Sequence, residues 1–66
     1  MKTLSLYGPL SSREQARLLL ENQPQVRRVD VSAGLTQLRL FLNVPISEDE
    51  LLPLLMQSGI SGFRLG

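Results

Sequence analysis

The stretch "YGPLSSRE", Tyr7 to Glu14, holds the side chains whose types and spacing come nearest to chemistry. Two hydroxyls, Ser11 and Ser12, and one carboxylate, Glu14, follow a Gly8-Pro9 break where a strand gives way to a helix. A serine nucleophile there needs a base within reach, and the chain has no histidine and no well-placed lysine. A hydroxyl and a single carboxylate are hard, weakly basic ligands that do not hold a soft ion such as Cu(I). With no cysteine, thiolate sites and disulfides are excluded as well. What remains for the serines is helix capping. Ser11-x-x-Glu14 has the capping-box spacing, and Ser12-x-x-Gln15 is an alternative frame.

The other acidic clusters lead no further. Glu48-Asp49-Glu50 could meet a hard cation, but it lacks the loop spacing of a calcium site and suits the positive end of a helix dipole. A catalytic carboxylate pair would need Glu14 or Glu21 to face a second acid, and the pattern puts both on solvent. No glycine-rich phosphate loop is present. The expectation is a protein that is not an enzyme and carries no cofactor.

The elements that position these residues read clearly. "KTLSLYG" alternates Leu4 and Leu6 with Thr3, Ser5 and Tyr7, which predicts a first strand ended by Gly8-Pro9. "SSREQARLLLENQP" changes period: Ala16, Leu19 and Leu20 share one helical face and Arg13, Arg17 and Glu21 another, until Pro24 stops the helix. "VRRVDVS" predicts a second strand with Val29 and Val31 on one face, Arg28 and Asp30 on the other. Ala33-Gly34 allows a reversal into "TQLRLFLNV", where Leu38, Leu40 and Leu42 alternate with Gln37, Arg39, Phe41 and Asn43. Ser47-x-x-Glu50 opens a second helix through Leu51, Leu52, Leu54 and Leu55, with Gly59 as its C-terminal cap. Pro53 removes a donor there and crowds the Asp49 carbonyl, an early and tolerated distortion. "SGFRLG" closes with a short strand.

The order is βαββαβ. Two β-α-β units joined by a hairpin predict an α+β, ferredoxin-like sandwich: a four-stranded antiparallel sheet with both helices on one face. Right-handed crossovers put strands 1 and 3 in the centre. The uncovered face then carries Ser5, Tyr7, Arg28, Asp30, Arg39 and Phe41. Tyr7 and Phe41, on the two central strands, are expected near one another as a contact surface or as cross-strand packing. Leu10 and Leu18 project from the loop and from the polar side of helix 1 as a second apolar candidate.

At the level of the whole chain, 1–66, this pattern resembles the heavy-metal-associated domain, the family of small copper chaperones and metal-ATPase N-terminal modules. "QVRRVDV" is similar to its G-V-x-x-V-x-V second strand, with Gln25 in place of the glycine. "SEDELLPLLMQSGI" resembles its second helix and "GFRLG" its closing strand. The resemblance implies a metal loop, G-M-x-C-x-x-C, between strand 1 and helix 1. Counted from Gly8, its cysteines fall on Ser11 and Glu14. Counted back from Val26, the loop is a residue or two short and they fall on Pro9 and Ser12. Neither frame supplies a soft ligand, and the position after Gly59, aromatic or lysine in the family, is Ile60. The likeness therefore implies a metal-domain scaffold without its thiolates that works by protein contact, in a setting of metal transport. Its alternative is a metal carrier with unconventional or partner-shared ligands.

Charge narrows the partners. Net charge is +1, with six Arg and one Lys against six acids, which is poor for following a phosphate backbone. An RNA-binding sheet stacks bases on paired aromatics, so Tyr7 and Phe41 keep that reading as a lesser alternative. No apolar run approaches the roughly 20 residues of a membrane span, and "MKTLSLYG" lacks the apolar core of a signal peptide. The expectation is a cytoplasmic module with a protein partner or a second copy of itself. Fifteen leucines and four valines supply its core.

Overall fold

The computed structural model describes residues 2–66. In chain order the elements are β1 (Lys2–Tyr7), α1 (Leu10–Glu21), β2 (Val26–Ser32), a single 3-10 turn (Ala33–Leu35), β3 (Gln37–Leu42), α2 (Glu48–Met56) and β4 (Gly62–Leu65). The sheet is ordered β2-β3-β1-β4 with every pairing antiparallel. This is the expected ferredoxin-like α+β arrangement, with β1 and β3 central.

Alternation builds the core. Leu4 stands opposite Leu38 in the β1–β3 register, and Leu4, Leu38 and Leu40 are fully buried. Ala16 and Leu20 of α1, four apart, and Leu51 and Leu55 of α2, also four apart, pack into the same cluster. Both helices therefore cover the face that the leucines present, since residues i and i+4 share one side of a helix. Among the described residues, no helix lies on the opposite face of the sheet.

β2 departs from simple alternation. Val26 pairs with Leu42 and Arg28 with Phe41, so Arg27 is an extra residue and the strand is bulged. The bulge lets Val26 and Val29, three apart, both face the core. Val31 lies opposite the buried Leu38, yet it is 48% exposed. It sits on an edge strand, on the core side but only about half covered. The hairpin after β2 turns through Gly34 (φ 63°) and Leu35 (φ 64°), so the reversal falls one residue later than Ala33-Gly34. Leu35 accepts an unfavourable left-handed backbone while its side chain is buried in the core.

The two helix starts differ. Ser47 caps α2 as expected: its Oγ accepts the Glu50 amide at 3.3 Å, and its hydroxyl lies 3.3 Å from the Glu50 carboxylate. Glu48, Asp49 and Glu50 fill the first turn, and the helix runs on through Pro53. For α1 the capping expectation is corrected. Its N-cap is Pro9, which has no side-chain acceptor, and the Pro9 carbonyl takes the Arg13 amide at 3.1 Å. The proline holds φ at −62° with an extended ψ of 152°, so the helix begins at Leu10. Ser11 and Ser12 are then inside the first turn, beyond the position from which a hydroxyl can cap. Gly59 is likewise not the cap itself. α2 ends at Met56 with Gln57 as C-cap, and Gly59 turns the chain two residues later with φ 83°.

Candidate interaction site

The β1–α1 junction is held by backbone contacts rather than by its polar side chains. The Ser61 amide donates to the Tyr7 carbonyl at 2.8 Å. Gly8 has φ 135°, and a Cβ there would stand 3.0 Å from the Ser61 nitrogen and 3.2 Å from the Ile60 Cα. Gly59 closes on the first turn of α1, where a Cβ would lie 3.2 Å from Ser12 Oγ. Pro9, Ser11 and Glu14 are exposed, Ser12 is half-buried, and Ile60 is buried under the junction. Among the described residues, no three His, Cys, Asp or Glu side chains are grouped as a metal site requires.

Arg13 is the residue here that sequence reasoning passed over as part of a polar helix face. Its Nε donates to the Gly8 carbonyl at 3.2 Å and its Nη1 donates to the Gly34 carbonyl. One guanidinium thus ties the junction to the β2–β3 hairpin. Arginine near a helix start carries no sequence signal for such a link, because the hairpin carbonyl arrives from 21 residues away.

The apolar candidates on α1 remain separate. Leu10 and Leu18 are exposed, but eight residues of helix put them about 12 Å apart along the axis. Glu14 stands between them in the same i, i+4 row, so a carboxylate interrupts the strip.

On the open face the register brings together one end of the sheet. Arg28 of β2 faces Phe41 of β3, and Asp30 faces Arg39. Arg28 Nε lies 3.0 Å from Asp30 Oδ1 and its Nη2 3.2 Å from Oδ2, a two-point ion pair. The same guanidinium lies over the Phe41 ring, 4.3 Å from its centroid. That is within cation–π range, and it leaves the ring half-buried on a face with no helix. Arg39 is exposed and makes no ion pair or hydrogen bond among the described residues. Asp30, Arg39 and Ser32, with Val29 and Val31, line a shallow concavity of about 450 Å³ at the β2 edge.

Tyr7 does not belong to this cluster, which corrects the expectation that it lies near Phe41. β1 and β3 pair as Lys2 with Leu40 through Ser5 with Gln37. Phe41 is therefore level with the start of β1, and Tyr7 is at its end. Six residues of strand, about 20 Å, separate the two positions. Tyr7 instead pairs with Gly62 of β4. Ser5 sits between Gln37 and Arg64. A two-aromatic stacking platform is thus not assembled.

Comparison with protein-family models, with curated proteins and with solved structures finds no match to this chain. Among the described residues no helix is long and apolar enough to cross a membrane.

Proposed function

We propose that this chain is a non-enzymatic binding module that acts by protein contact through the uncovered face of its sheet. The observation that carries the reading is the Arg28–Asp30–Phe41 cluster beside the unpaired Arg39. An aromatic ring and arginines, held in place by one another and standing on a rigid sheet, are the side chains enriched at protein interfaces. Arg28 loses little further freedom on binding, because Asp30 and Phe41 already orient it. Phe41 stands alone as an aromatic in the cluster, which favours protein over single-stranded nucleic acid, where successive bases need successive rings.

The test compares proteins co-purified by wild type and by an Arg28→Ala/Arg39→Ala/Phe41→Ala variant that stays folded. A partner held by wild type and lost by the variant supports the reading. Identical sets from both would place the contact surface elsewhere.

The resemblance to heavy-metal-associated domains extends the proposal to a scaffold without its thiolates that accompanies metal transport. Its support is the position of the residues: Ser11 and Glu14 stand three apart inside the first turn of α1, where two thiols would lie about 5–6 Å from each other at Cβ, and Pro9 and Ser12 stand three apart with Pro9 at the N-cap. A helix start also lowers thiol pKa. Ser11→Cys/Glu14→Cys or Pro9→Cys/Ser12→Cys should gain zinc or Cu(I) binding that the parent lacks. If both folded variants bind neither ion, the metal context falls and the contact reading stands. Equilibrium dialysis of wild type addresses the carrier alternative, and tight binding of either ion by the parent would favour it.

A further inference from the structure

We infer that the partner of the β2 edge is a second copy of this chain, joined to it by antiparallel pairing of the two β2 strands around a two-fold axis at Val29. The inference rests on the contact reading above and names its occupant.

Three observations converge on this edge. First, β2 is the outer strand of the sheet, so the backbone groups it turns away from β3 have no strand beside them. Edges of this kind are usually blunted by charge, proline or bulges. Here the bulge is confined to Val26–Arg28, and the strand has no proline, so with the axis at Val29 the regular pairing across it spans Arg28, Val29 and Asp30 of each copy. Second, the apolar side chain at this edge is only half covered: Val31 faces the core side, opposite Leu38, and remains 48% exposed. Val29, Asp30, Val31 and Ser32 also line the concavity of about 450 Å³. A strand laid along the edge would fill that space.

Third, the charges are self-complementary in one register. A closed dimer must present the same patch twice, with each contact repeated by symmetry. With the axis at Val29, residue 28 of each copy stands opposite residue 30 of the other. Arg28 then meets the other copy's Asp30, and Asp30 meets the other copy's Arg28. Within each chain Arg28 and Asp30 are already paired at 3.0 Å, so the junction carries a ring of alternating charge on the open face. On the helix side, Val29 meets the other copy's Val29, and each Val31 lies diagonally beyond that pair, level with the other copy's Arg27. Moving the axis to Asp30 would oppose two carboxylates, which cross-strand pairing disfavours. Charge therefore selects the register as well as the partner.

The contact is modest in size. A standard interface takes about 800 Å² from each partner, roughly a fifth of this chain's 4018 Å² of surface. A few residues of edge strand bury less than that. The dimer is accordingly a concentration-dependent one, visible at tens to hundreds of micromolar rather than permanent.

The experiment is a charge swap read by sedimentation equilibrium, with circular dichroism to confirm folding. Wild type should show a reversible monomer–dimer equilibrium. Arg28→Glu and Asp30→Arg should each be monomeric at the same concentrations, because each opposes like charges twice. The double variant Arg28→Glu/Asp30→Arg should dimerise again. An equimolar mixture of the two single variants should form a heterodimer, since every cross-strand pair in it is again opposite in sign. Wild type that remains monomeric up to about 1 mM would overturn the inference while leaving contact with another protein intact. Dimerisation unaffected by either single swap would overturn the register and the assigned edge. Loss of the co-purified partner in the Arg28→Ala/Arg39→Ala/Phe41→Ala variant is read separately, so the two claims fail independently.

Discussion

Tyr7 and Phe41 share the open face of the sheet but stand at opposite ends of it, about 20 Å apart along the strands, whereas Arg28 lies 4.3 Å over the Phe41 ring. The two pairs should behave differently in double-mutant cycles. Tyr7→Ala with Phe41→Ala should be additive within about 0.5 kcal/mol, as distant sites are. Arg28→Ala with Phe41→Ala should show a coupling of about 0.5–1 kcal/mol, the value of an exposed cation–π contact. Urea denaturation of the single and double variants measures both.

Leu40 sits on a central strand, fully buried between the helices and the sheet. Leu40→Ala should cost about 2–5 kcal/mol, enough to unfold a large fraction of so small a domain. A denaturation midpoint close to wild type would mean that the strand faces are reversed.

Gly8 and Gly59 both have positive φ, but their surroundings differ. A Cβ at Gly8 meets the Ser61 and Ile60 backbone at 3.0 and 3.2 Å, whereas at Gly59 it meets the Ser12 hydroxyl at 3.2 Å. Backbone cannot move aside as a side chain can. Gly8→Ala should therefore cost more than Gly59→Ala, whose penalty should be about 1–2 kcal/mol from the left-handed backbone. Adding Ser12→Ala, which removes the crowding hydroxyl, to Gly59→Ala should recover the part that comes from crowding and leave the backbone part.

The two serines placed by sequence as helix caps should separate cleanly. Ser47→Ala should cost about 0.5–2 kcal/mol, because the Glu50 amide loses its acceptor. Ser11→Ala should change stability by no more than about 0.5 kcal/mol, as an exposed site away from such features does. Thermal unfolding of the two variants side by side measures the contrast.

That contrast shows which parts of the molecule were legible in the sequence. Strand order, the buried faces of β1 and β3 and the Ser47 cap follow from local period and spacing, and each is seen. Ser11 has the same local signature as Ser47, but Pro9 caps its helix two residues earlier, and a four-residue pattern does not reveal that. The Tyr7–Phe41 separation depends on strand register. Two residues on adjacent antiparallel strands can be neighbours or far apart with the same alternation. Arg13 was missed because its second acceptor, the Gly34 carbonyl, comes from the distant hairpin. The Arg28–Asp30–Phe41 cluster was legible as a set of outward-facing residues, but the two-point ion pair and the ring beneath it depend on side-chain rotamers that strand alternation does not specify.

The bulge in β2 has a consequence for how this strand tolerates change in its length. Losing one residue from the middle of a strand normally turns every side chain beyond it to the wrong face. Arg27 is the surplus residue between Val26 and Arg28, and without it the chain would read Val26 inward, Arg28 outward, Val29 inward. Deleting Arg27 should give a folded protein whose two-dimensional amide spectrum keeps the wild-type pattern outside β2. Deleting Val29 should not. In a lineage that drifts by small insertions and deletions, the Arg27-Arg28 pair is a place in this strand where either codon can be lost, with the same product, while the inward and outward residues keep their sides.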